Sequence, residues 1–157
     1  HDALPIYTGI PVVTSLPTRH WICFYLARTL GQLGQSTSIP ALLAALDDHP
    51  PEAASGRPDP LGPGVLFLHN DLTPCWRAAA AWALGRTADP AATPSLLRVL
   101  GNLDNAPDTR HAAATALART ARPADLTSMR ALAPTIPEVS VRHALLQSCL
   151  TVEAGHP

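Results

Sequence analysis

The chemically most versatile residues of this chain are its seven histidines, three cysteines and twelve carboxylates. His111 and His143 hold matching places in two similar stretches, RHAAATAL and RHALLQSC, so their side chains could stand next to each other. Two imidazoles begin a metal site, yet no cysteine or carboxylate recurs beside them at helical spacing to complete a ligand set. His69-Asn70-Asp71 with Cys75 forms a second grouping. Asn and Asp just ahead of a helix are better explained as its cap. Nucleophilic catalysis has less material still. There is no Gly-x-Ser-x-Gly elbow, and Cys23 and Cys149 lie among apolar residues, where a thiol is inert packing. No phosphate-binding glycine loop occurs, and Gly31 and Gly34 read as a helix end. Three glutamates leave little for a paired-carboxylate mechanism. The expectation is a chain with no catalytic residue, metal or cofactor, and so not an enzyme.

Composition narrows the remaining classes. The 157 residues suffice for one domain or a segment of a longer protein. Hydrophobic residues make up 46% but aromatic ones only 4%, so the core must be built from Leu, Ala and Val. A net charge of −1 argues against a generic binder of nucleic acid or membrane surface. All 11 basic residues are Arg. An odd number of cysteines without disulfide or zinc spacing favours a reducing, cytoplasmic setting. The longest early apolar run, WICFYLA, is too short to span a bilayer.

The elements that would position side chains are read from the 17 prolines. Proline inside a helix loses a hydrogen bond and clashes with the preceding turn. The proline-free windows 18–39, 75–89, 95–106, 108–122, 124–133 and 138–156 are each helix-sized, and Pro40, Pro94 and Pro123 stand where a first turn begins. No window alternates apolar and polar residues as a strand would. The chain reads as all-α, with an irregular segment over 1–19 and a repeat domain over 20–157. A proline-rich insertion occupies 49–73, and its VLFLH run is expected to fold back on the core.

The helices repeat. Leu30-Gly31 recurs as Leu84-Gly85, and with the same offset Pro40 as Pro94 and Leu46 as Leu100. A shorter offset carries Arg77 onto Arg110, Leu84 onto Leu117 and Pro90 onto Pro123, and Arg110-His111 recurs as Arg142-His143. One such unit cannot bury its own apolar face, whereas stacked neighbours bury a continuous core. The stretches ARTLGQLGQSTSIPALLAAL and RAAAAWALGRTADPAATPSLLRVL resemble bacterial HEAT repeats, above all the short form named after phycobilisome lyases. The resemblance covers about residues 20–48 and 74–152, and implies an α-solenoid of antiparallel helix pairs, curved into a superhelix. It also implies that Arg77, Arg110 and Arg142 knit neighbouring repeats together with acidic turn residues, here Asp104, Asp108 and Glu138. The last unit, VSVRHALLQSCL, lacks the Leu-Gly and has no partner helix after it. That would leave an apolar face open to dimerisation or to further repeats.

Among HEAT-like enzymes, deoxyhypusine hydroxylases hold iron on repeated His-Glu pairs, and this chain has no His-Glu dipeptide. HEAT-like DNA glycosylases use a basic concave face, which eleven arginines against twelve acids supply only thinly. In the family the second helix of each pair lines the concave surface. Three rows follow on that face: Phe24, Ala78, His111 and His143; Arg28, Trp82, Thr115 and Gln147; Gln32, Arg86, Arg119 and Thr151. The partner-binding candidates are therefore Arg28, Trp82, Arg86, His111, Arg119 and His143. An exposed tryptophan among arginines suits a protein or peptide partner with acidic character. The competing reading of Trp82 is packing against the insertion. The expected function is a protein-interaction scaffold or sensor module of a larger bacterial protein, with a lyase-like or metal-dependent enzyme and a nucleic-acid binder as alternatives.

Overall fold

A computed structural model describes residues 16–47 and 72–155. Seven α-helices occur among them, with no strand: α1 (Leu16–Leu33), α2 (Ile39–Asp47), α3 (Leu72–Thr87), α4 (Thr93–Gly101), α5 (Pro107–Thr120), α6 (Leu126–Leu132) and α7 (Val139–Glu153). Helix α1 begins at Leu16 rather than near residue 20, with Pro17 in its first turn, where proline is tolerated. Leu72 and Thr73, expected in the insertion, open α3. The rest of the insertion, including VLFLH and His69-Asn70-Asp71, lies outside the described residues, as do residues 1–15 of the expected irregular segment.

Each stop has a local cause. Helix α1 ends at Gly34 (φ 61°) and α3 ends at Ala88 (φ 53°), the matching residue one repeat on. The left-handed turn there suits glycine; at Ala88 the same turn is imposed on a residue with a Cβ. Short 3₁₀ segments led by proline or serine (Ser36–Ser38, Pro90–Ala92, Pro123–Asp125) then start the next helix. Asp89 caps the second of these, accepting from the Ala91 N–H at 2.9 Å.

Two layers result. Helices α1, α3, α5 and α7 stack in succession, and α2, α4 and α6 pack on α3, α5 and α7 respectively. The pairs are thus α2/α3, α4/α5 and α6/α7. This corrects the expectation that the last helix is unpaired: the partner of α7 precedes it in sequence. The helix without a pair partner among the described residues is α1. Its Leu26, aligned with buried Ala80, Ala113 and Leu145, is accordingly exposed.

The core lies between the layers. Leu42, Leu96 and Met129 form one row from the outer helices, and Leu46, Leu100 and Ala133 the next, all buried against Leu84, Leu117 and Cys149 of the stacked helices. The Leu-Gly signature has a steric cause. A Cβ on Gly31 would lie 2.8 Å from Ala83 Cα, and one on Gly85 would lie 2.8 Å from Ala116 Cα. Glycine lets consecutive helices of the stack approach backbone to backbone. The recurring Leu-Gly is therefore a packing contact and leaves the candidate binding rows free for other work.

Candidate partner-binding surface

Beneath the polar rows runs a buried arginine ladder. The Arg77 Nε–H donates to the Leu46 carbonyl at 2.9 Å, and its Nη1 donates to Asn105 Oδ1 at 2.7 Å. One repeat further, Arg110 donates from Nε to the Asn105 carbonyl at 3.1 Å and from Nη2 to Glu138 Oε1. Arg110 is 2% exposed. In both rungs the acceptor side chain lies 28 residues beyond its arginine, in the turn between the two helices of the next pair. Asn105 ties the rungs together by accepting from Arg77 at Oδ1 and from Arg110 at its carbonyl, and its own amide donates to the Val99 carbonyl at 2.9 Å. Arg142 Nη1 donates to the Ile136 carbonyl at 3.1 Å.

The knitting role foreseen for the arginines holds for Arg77 and Arg110, but with different partners, whereas the Arg142 bond to Ile136 stays within its own helix pair. Asp104 and Asp108 are exposed and do not pair with Arg110. A neutral amide, Asn105, fills the place that Glu138 fills in the next repeat. Glu138 serves Arg110 of the preceding repeat rather than Arg142. The Arg110 guanidinium holds the Glu138 carboxyl below the usual glutamate range. The signal that could have identified Asn105 was its register, one repeat ahead of Glu138; its lack of charge hid it.

The candidate binding residues stand on the stacked helices, on the side away from the outer layer. Arg28, Arg86, His111, Arg119 and His143 are all exposed, as are Thr115 and Gln147 in the middle row. Phe24 has no described side chain. Trp82 is 37% exposed. One edge of its indole covers Gly31, where an added Cβ would meet Cζ3 at 2.7 Å. The Arg28 guanidinium lies over the ring, 5.6 Å from its centroid. Glycine in α1 thus makes room for the tryptophan of α3, and Arg28, three residues earlier, reaches its open face. His111 and His143 stand on adjacent helices, and no three His, Cys, Asp or Glu come together among the described residues. Cys149 is buried, which pushes its thiol upward and keeps it protonated.

Stacked helix pairs with a periodic ladder define a helical repeat protein. The family model for HEAT repeats matches residues 65–149, and that for the PBS lyase HEAT-like repeat matches residues 22–48. The first match alone covers more than half of the sequence, and the chain belongs to the HEAT-repeat family. No curated protein matches it.

Proposed function

We propose that this chain is a non-enzymatic protein-interaction module, a scaffold or sensor segment of a larger protein. HEAT repeats are helical repeat modules that commonly serve protein interaction. The observation that carries the reading here is Trp82, an aromatic ring kept partly open among alanines, with the Arg28 guanidinium over it. An indole and a guanidinium presented on rigid helices lose little freedom when a partner covers them. The arginines along the rows favour a protein or peptide partner with acidic groups. A bacterial, cytoplasmic setting is part of the proposal, supported by the composition and by a free buried thiol at Cys149. No helix among the described residues is long and apolar enough to cross a membrane.

The test is a lysate pull-down with the wild-type segment beside a Trp82→Ala, Arg86→Ala, Arg119→Ala variant of matched helicity. A partner held by the first and lost by the second is the expected outcome. Equal retention by both would move binding off this face, and capture by neither would leave a structural spacer. The match to the PBS lyase HEAT-like repeat favours one second reading, a lyase-like enzyme. It predicts a bound chromophore or metal, seen by absorption and elemental analysis of the purified protein.

A further inference from the structure

A groove of about 610 Å3 crosses the edge where α3, α5 and α7 end, lined by Ala88 and Pro90 on one side, Arg119 and Arg122 in the middle, and Thr151 and Gly155 on the other. No carboxylate of the described residues lines it. The nearby acids are engaged elsewhere: Asp89 accepts from the Ala91 N–H, Asp125 accepts from the Arg122 N–H at 2.8 Å, and Glu153 pairs with Arg130. The guanidinium groups of Arg119 and Arg122 pair with no carboxylate among the described residues, and neither does that of Arg86, one helix along the row of Arg119. Other arginines among the described residues are placed differently. Arg77 and Arg110 are buried in the ladder, and Arg98 and Arg130 have Asp47 and Glu153.

Three helix C-termini also meet at this edge, and their last carbonyls carry partial negative charge. They account for part of the preference for arginine here, and they disfavour a bare phosphate pressed against the backbone. An extended peptide satisfies both features. Its N–H groups can face the carbonyls, while side-chain carboxylates reach the guanidinium forks. A nucleic acid offers acceptors alone along its backbone and meets a chain of net charge −1.

We propose that this edge groove binds an extended acidic peptide segment, with carboxylates on Arg119 and Arg122 and Arg86 continuing the track. The proposal rests on the reading of the chain as a binding module and adds a location and a ligand chemistry to it. The test uses the whole chain and a fluorescein-labelled octapeptide of alternating glutamate and alanine, followed by fluorescence anisotropy at low salt. Saturable binding is expected, weakened at least about tenfold in an Arg119→Glu, Arg122→Glu variant and less than about threefold by Arg98→Glu, which lies on the outer layer away from the groove. Both sets of positions are exposed, and matched circular dichroism shows that the variants fold. Failure of the wild type to bind, equal binding by the double variant, or tighter binding of an oligothymidylate of the same length would each overturn the proposal. A chain that captures a partner through Trp82 but ignores the peptide would sink this proposal and leave the broader reading standing.

Discussion

A buried arginine is costly to strand, and Arg110, whose Nη1 has no hydrogen-bond partner among the described residues, depends on the bonds made by its Nε and Nη2. Arg110→Ala would leave Glu138 and the Asn105 carbonyl without their donor, and should cost roughly 3 kcal/mol in chemical denaturation. Lysine should not restore it, because one ammonium cannot reach both acceptors of the guanidinium fork. The same pair sets an acid limit. The folded-state pKa of Glu138 is lowered by Arg110, so its contribution is fully present above the ordinary glutamate value of about 4.3. It is lost as pH falls through the lowered value. Thermal melts of Glu138→Gln should therefore fall less steeply than wild type on acidification below about pH 4, and parallel curves would remove Glu138 from the acid response.

Between elements, the deciding feature is how closely neighbouring helices of the stack approach. Alanine is the better helix former, by about 1 kcal/mol over glycine. Nevertheless Gly85→Ala should destabilise by roughly 1–3 kcal/mol, since its Cβ would meet backbone of α5 that cannot swing aside. Denaturant unfolding measures this, and a gain in stability would show that the helices can part without cost. The contact also explains why the candidate binding rows are polar. The small residues of each helix are consumed by the stack and the leucines by the outer layer, so the remaining positions face solvent.

At the scale of the molecule, a solenoid is held by nearest-neighbour interfaces, and its end faces reveal how they are built. The pairs Ala27 with Gly31, Ala81 with Gly85 and Ala114 with Ala118 each face the next helix of the stack. The matching pair on α7 is Leu146 with Leu150, 44% and 57% exposed, beside an exposed Val139. Bulk thus replaces small residues where the described stack ends, and α7 cannot receive another helix at the spacing glycine permits. These leucines support no described interface, so Leu146→Gln with Leu150→Gln should change folding stability by less than about 0.5 kcal/mol. A larger loss, read from thermal melts alongside sedimentation, would mean that the face is covered in solution.

What the sequence determined by itself was everything written in periodicity and in single-residue stereochemistry. Prolines marked the first turns, Leu-Gly and the recurring Arg marked equivalent positions, and the alanine-rich windows could be nothing but helices that share a core. Helical spacing put the candidate rows on one face, and the resemblance to HEAT repeats made that face the open one. The tertiary structure decided the matters that depend on distance between segments far apart in the chain. Arg110 chose Glu138 over the nearer Asp104 and Asp108 because stacking brings the next repeat's turn under its guanidinium. Helix α7 took α6 as its partner for the same reason, and Trp82 stayed partly open because Gly31 let its ring edge slide over α1. The edge groove was invisible in the sequence, since Ala88, Arg119, Arg122 and Thr151 belong to three repeats and meet only where three helix ends converge.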